Sequence, residues 1–243
     1  MLRAVAQRGT VLGQTGLPVI VPSTSTTGIQ ANGTLTVDTA LAMTYPQAWC
    51  YFPAGAVSGD ATGGLYYCVF SSTTQGTVYA GKIGGANGVS STFTPYVPTT
   101  LTPVVGSGAG YTQSTGKINV LQVVVPGGSM GPEGSLNWQA DIATNNNANS
   151  KTSYYDFSTG SFSGNNLASL TFTRINRWAA NRGVVNSQYV TPIPTATSTT
   201  APALPNTAIN TAVSQPFVLA FQLAVATDWM AVEFFNLQVY YGS

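Results

Sequence analysis

Histidine does not occur in this 243-residue chain. Its absence removes the commonest general base near neutral pH, the Ser-His-Asp and Cys-His nucleophile arrangements, and every histidine-ligated metal site. Charge is nearly as scarce, with 8 Lys and Arg against 7 Asp and Glu, or 6% of residues, where ordinary soluble domains carry about 25%. Eight dispersed cations cannot build a phosphate-tracking stripe, so nucleic acid is not an expected partner. No run approaches the roughly 20 apolar residues of a spanning helix, so no membrane insertion is expected. The opening MLRAVAQRGTVLG has charge without a hydrophobic segment behind it and does not read as a secretory signal. Only two cysteines are present, Cys50 and Cys68, both inside aromatic, strand-like segments. Adjacent strands could bring them to bonding distance, but without a secretion signal the reduced state is the expectation.

The carboxylates are Asp38, Asp60, Glu133, Asp141, Asp156, Asp228 and Glu233, and no two share a motif. Asp141 and Asp156 are the least unfavourable acid and nucleophile for a glycoside hydrolase, yet two scattered acids carry almost no specificity. EF-hand spacing, a phosphate loop and a dinucleotide fingerprint are all missing. The expectation is a protein that is not an enzyme and uses no cofactor, with no catalytic residue or metal ligand assigned.

What the chain does have is turn chemistry and apolar matter: 26 Gly, 14 Pro, 11% aromatic and 44% hydrophobic residues. Many short strands joined by turns account for this, and the apolar content is too high for a disordered chain. The fold class expected from these features is all-β. A surface so poor in charge invites self-association, so copies of the chain are expected to cover part of it.

Along the chain, residues 1–32 read as an extended anchoring arm, because Val11, Leu12, Leu17, Val19, Ile20 and Val21 are more apolar than a solvated tail requires. Residues 33–243 read as the single sandwich domain. Strand-like segments recur at Leu35–Leu41, Trp49–Phe52, Leu65–Phe70, Thr73–Tyr79, Lys117–Pro126, Ser135–Ile142 and Leu167–Ile175. The β-branched run at Lys117–Pro126 suits a central strand. Residues 81–116 read as an exposed excursion, residues 192–206 as a long crossing loop, and Arg174–Gly183 as a surface strand end or turn. At the C-terminus, Phe217, Leu219, Phe221, Leu223 and Val225 alternate, Thr227-Asp228 offers a turn, and Met230, Val232 and Phe234 resume the alternation. The expectation is an antiparallel hairpin, with a bulge near Phe234-Phe235-Asn236 where the phase slips.

Trp and Tyr stack on sugar faces while amides bond hydroxyls, so the exposed loop at 144–155 is the candidate contact for a host surface glycan or receptor. Its residues are Asn145, Asn146, Asn147, Tyr154, Tyr155 and Asp156. A carbohydrate-binding module is the alternative function on this reading, and a glycan hydrolase a more distant one.

Three segments carry a family resemblance: Trp49-Cys50-Tyr51-Phe52-Pro53-Ala54-Gly55, Ala61-Thr62-Gly63-Gly64-Leu65-Tyr66-Tyr67-Cys68, and Ser71 to Tyr79. With Asn181-Arg182-Gly183, Asn186-Ser187-Gln188 and the final strand pair, they resemble virion fibre, tail-associated and head-decoration proteins of tailed bacteriophages. The resemblance implies an antiparallel, jelly-roll-like β-sandwich, a homotrimer, attachment to other virion proteins of tail or capsid through an N-terminal segment, and assembly into the virion in the host cytoplasm. The chain lacks the β-helical shaft or coiled coil of an elongated spike.

Overall fold

The structure, a computed structural model, describes residues 9–14, 17–23, 33–83, 116–158, 160–190 and 206–242. These residues form an all-β sandwich with no helix among them. The strands are β1 (Thr10–Gln14), β2 (Val19–Val21), β3 (Thr34–Thr36), β4 (Ala48–Phe52), β5 (Gly64–Phe70), β6 (Gln75–Ile83), β7 (Ile118–Val125) and β8 (Ser135–Thr144). They continue with β9 (Lys151–Phe157), β10 (Gly160–Asn166), β11 (Phe172–Asn181), β12 (Gln188–Val190), β13 (Asn206–Thr207), β14 (Gln215–Leu223) and β15 (Met230–Tyr240). The larger sheet runs β13-β12-β11-β8-β15-β2-β4-β5-β6-β3, and the smaller runs β10-β9-β14-β7.

Between the sheets lies one apolar core, fed by alternate residues of both. Leu136, Trp138, Ala140, Phe235, Leu237 and Val239 come from the larger sheet, and Tyr155, Phe157, Phe217, Leu219, Phe221 and Leu223 from the smaller. Side chains alternate across a pleated strand, so one face of each sheet is committed to this layer. Phe217 bridges it, with its ring centroid 5.1 Å from that of Trp138 and 6.2 Å from that of Phe235.

A second core covers the opposite face of the larger sheet, but only over part of it. Ile20, Cys50, Phe52, Tyr66, Cys68, Phe70 and Ala231 are roofed by Leu35, Val37, Leu41, Tyr45 and Val57. Polar ties hold that roof down: the Trp229 indole donates to the Ala40 carbonyl at 3.0 Å, Thr39 Oγ1 donates to the Thr227 carbonyl at 2.6 Å, and the Tyr45 hydroxyl donates to Glu233.

Several expectations change. β14 and β15 are not a hairpin. β14 pairs with β7 and β9 in the smaller sheet, while β15 pairs with β8, β2 and β1 in the larger. Residues 224–229 therefore carry the chain from one sheet to the other. The register slip is real and lies between Val232 and Phe234, so Phe235 and not Phe234 returns to the core.

Residue 32 is no boundary either. Val19, Ile20 and Val21 form a fully buried interior strand, hydrogen-bonded to β15 on one side and parallel to β4 on the other. β1 continues along the same edge of β15, and Leu12 and Leu17 pack on the main core. Their apolar character is consumed within the fold, so these five residues are not a free arm.

β7 lies at an edge of the smaller sheet, not at its centre. Arg174 to Asn181 belong to a ten-residue strand, and Leu170 and Phe172 are both exposed. Cys50 and Cys68 are free and buried. Cys68 pairs in register with Ala48 while Cys50 pairs with Tyr66, so the two cysteines are diagonal neighbours, a placement wider than disulfide geometry favours. Of the proposed excursion 81–116 only its ends are described, and the crossing loop 192–206 lies outside the described residues except for its last.

Candidate functional site

The loop 144–155 folds into a polar knot. Asp228, 1% exposed at the sheet-to-sheet crossing, accepts amide hydrogen bonds on Oδ1 from Asn145 (2.8 Å), Asn147 (2.7 Å) and Asn149 (3.3 Å). Asn145 Oδ1 in turn accepts from the Trp229 amide at 3.1 Å. Lys151 is fully buried, and its ammonium donates to Asn147 Oδ1 at 2.6 Å and to the Asn149 carbonyl at 3.0 Å. Burial pulls its pKa down and the nearby Asp228 carboxylate pulls it partly back. A cation in this nest of oxygens makes it an internal tie. Asn145 and Asn147 are thereby spent inside the protein, and of the three predicted asparagines Asn146 is the exposed one.

The three remaining predicted contacts also separate. On β9 the pleat sends Tyr155 into the core at 0% exposure, while Tyr154 and Asp156 face out. Tyr154 donates to Gln222 Oε1 at 2.8 Å and carries the Lys117 ammonium 4.7 Å from its ring centroid; the same ammonium pairs with Asp156. The sugar-stacking face of Tyr154 is thus shared with a cation. The structure does not join these six residues into one platform.

Nor does it join the two acids. Asp141 sits on β8 in the larger sheet and Asp156 on β9 in the smaller. Arg174 grips Asp141 bidentately, Nε to Oδ1 at 2.8 Å and Nη2 to Oδ2 at 2.7 Å, and those bonds hold its carboxyl below the usual range. A carboxylate so held is a poor proton donor. Among the described residues no cluster of three or more His, Cys, Asp or Glu side chains could hold a metal ion. An open depression of about 730 Å³ beside Pro132, Val184, Val185 and Asn210 has no titratable side chain in its lining.

The face that stands out is the outer side of the larger sheet where the second core does not reach. There β12, β11, β8, β15 and β1 lie side by side, and their register sets outward residues in rows. Trp178, Asn137, Gln238 and Val11 form one row; Asn176, Gln139 and Asn236 form the next. Arg174, Asp141 and Phe234 follow, with their charges cancelled in the pair just described. Trp178 is 40% exposed, Phe172 52% and Val11 51%, and the rings of Trp178 and Tyr189 lie 5.0 Å apart.

No protein-family model, curated protein or solved structure matches this chain.

These residues were individually visible in the sequence as the polar partners of alternating strands. Asn137 and Gln139 alternate with Leu136, Trp138 and Ala140, and Asn236 and Gln238 alternate with Phe235, Leu237 and Val239. Their assembly into rows depends on β11-β8-β15 adjacency, which no local pattern encodes.

Chemically the face offers amides and aromatics without net charge. Each amide both donates and accepts, so one such surface complements a second copy of itself, whereas a carboxylate or ammonium surface would repel its copy. The exposed aromatics supply the apolar area that association needs.

Proposed function

We propose that this protein is a structural, non-enzymatic component of a tailed-phage particle, a homotrimer that assembles through the outer face of the larger sheet beyond the reach of the second core. The observation that carries the assembly reading is that face: rows of amides and the exposed Trp178, Phe172 and Val11, with its one ion pair internally cancelled. The virion part of the reading rests on the resemblance of the Trp49–Gly55, Ala61–Cys68 and Ser71–Tyr79 segments to phage fibre and head-decoration proteins. With Leu12, Leu17 and Val19–Val21 folded into the domain, attachment to tail or capsid falls to other surfaces of the trimer.

Light scattering on the purified chain tests the assembly. The wild type should give about three chain masses, and Trp178→Glu, which sets a charge at the β11 end of the face, should lower that mass while leaving the circular dichroism unchanged. A wild-type monomer at micromolar concentration overturns the proposal. Antibody labelling of purified particles of the encoding phage tests the location, and unlabelled particles refute it.

A glycan-binding reading retains one specific observation, the Trp178–Tyr189 ring pair beside the amides of Asn137 and Gln238. Glycan binding that disappears in Trp178→Ala at unchanged oligomer mass would favour that reading over assembly.

A further inference from the structure

Arg177 is the unusual cation of this chain. It points from β11 into the space between the sheets, is 6% exposed, and sits on the inward side of a strand whose neighbouring inward residues are Ile175 and Ala179. All seven carboxylates lie among the described residues, and none pairs with it. Its hydrogen bond runs from Nη2 to Asn165 Oδ1 at 2.8 Å. Guanidinium remains protonated at any pH at which the protein folds, so its charge cannot be relieved by losing a proton.

The groups around it make the imbalance worse. Guanidinium has donors and no acceptor, so the Asn165 oxygen must face it and the Asn165 Nδ2 must point elsewhere. That Nδ2 is buried and has no acceptor among the described residues. Ser153, paired in register with Asn165, and Tyr155 are both 0% exposed, and their hydroxyls have no partner beyond each other, which leaves the pair one hydrogen to donate. Tyr155 lies close enough to Arg177 for the two to act on each other electrostatically: the guanidinium draws the phenol's pKa down against the stronger upward push of burial. Burial therefore keeps the phenol neutral, and Tyr155 cannot serve as the missing anion.

We infer that Arg177, Tyr155, Ser153 and Asn165 form a buried site for a small inorganic anion of halide size, held between the two sheets. The argument is a count of hydrogen-bonding capacity. One fixed positive charge, one spare hydroxyl hydrogen from the Ser153–Tyr155 pair and one unpartnered amide nitrogen lie together, with no carboxylate paired to the arginine. A water molecule could accept two of these hydrogen bonds but would bring two donors of its own and leave the charge uncompensated. A halide accepts from all sides and cancels the charge. Because Arg177 comes from the larger sheet and the other three residues from the smaller, the ion would act as a tie across the sandwich.

The test uses the full chain and chloride itself. Thermal unfolding midpoints are measured from 10 to 500 mM sodium chloride, with sodium gluconate, a bulky organic anion, holding ionic strength constant so that general screening does not vary. The midpoint should rise by several degrees with chloride, because a ligand bound only by the folded state stabilises it by mass action. Arg177→Gln should abolish that rise and Tyr155→Phe should weaken it, while Arg174→Gln, on the outer face, should leave it intact. Crystals grown in bromide should show anomalous density in contact with Arg177, Tyr155 and Ser153. If Arg177→Gln does not fold, Tyr155→Phe and the bromide density still decide. A midpoint equal in chloride and gluconate, or density that fits only water, overturns the inference. Bromide density with no chloride dependence of unfolding also overturns it, as an adventitious ion only.

Discussion

Replacing Asp228 by alanine should be among the most damaging single changes available in this chain. The carboxylate is 1% exposed, and its Oδ1 accepts from Asn145, Asn147 and Asn149. Those amides position the oxygens that bind the fully buried Lys151 ammonium. A hydrogen bond to a charged group is worth about 1.5–3 kcal/mol, and three sharing one oxygen are not additive. Removing one member of a buried charge cluster costs about 3–5 kcal/mol, because the charge left behind is uncompensated. We therefore expect Asp228→Ala to lose about 3–5 kcal/mol. At roughly 2–4 °C per kcal/mol for a domain of 150–250 residues, that is a fall of about 6–20 °C in the unfolding midpoint. Asp228→Asn keeps an acceptor for the amides and loses only the charge, so it should cost less, about 1–3 kcal/mol. Urea unfolding with a common m-value gives both differences. If Asp228→Ala loses under about 1 kcal/mol, the knot is not a stabilising hub and the account of the 144–155 loop fails.

Acid titration of stability should separate two neighbouring carboxylates with opposite slopes. Hydrogen bonds from Arg174 depress the Asp141 pKa, so its contribution is present above the unfolded carboxyl pKa and is lost as pH falls through the folded value; Arg174→Met should flatten that acid-side loss. Burial raises the Glu233 pKa despite the bond from Tyr45, so its contribution is present below the unfolded pKa and is lost as pH rises. Glu233→Gln should thus become more favourable, relative to wild type, between pH 4 and pH 7, and an unchanged difference would refute this. At Gly134, a Cβ would stand 1.6 Å from the Met130 carbonyl oxygen and 2.5 Å from that of Tyr240. Gly134→Ala should therefore cost about 3 kcal/mol or more through overpacking. Gly128→Ala, at φ +75 with open space around it, should cost about 1–2 kcal/mol from backbone conformation alone, and equal losses would contradict the steric account.

Period-two alternation was legible wherever a strand buries one face. Phe217, Leu219, Phe221 and Leu223 are all core residues, and the polar partners of Leu136 and Trp138 do face outward. A phase slip in the last strand was legible for the same reason, since a bulge is the way to return an apolar series to its face. The identity of a strand's neighbours was not. Thr227-Asp228 has turn composition, but a hairpin turn and a crossing between sheets present the same polar letters. What distinguishes them is the burial of Asp228 and Trp229, fixed by partners 81 and 189 residues away. The N-terminal strands are ambiguous by the same mechanism: Val19-Ile20-Val21 is apolar on both faces, as an interior strand covered by two cores must be, and an arm bound to a partner would look identical. The candidate glycan residues divide on the pleat. Tyr154 and Tyr155 are adjacent in sequence, and adjacency in a strand sends them to opposite sides.

The chain's poverty in charge sharpens the meaning of the charges it buries. Lys151 and Arg177 are both interior cations, and the fold treats them differently. Around Lys151 it assembles carbonyl and amide oxygens, with a carboxylate behind them; every group it meets there accepts. Around Arg177 it assembles one amide oxygen and then an amide nitrogen and a pair of hydroxyls with a hydrogen to spare. A lysine site completed by protein acceptors requires nothing from solution. An arginine site surrounded by surplus donors requires an acceptor that the protein does not supply. Apolar substitution at either position would remove a costly buried charge, so the burial of Arg177 without a carboxylate partner is explicable if an external anion completes the site, and the chloride dependence of wild type against Arg177→Gln measures that completion directly.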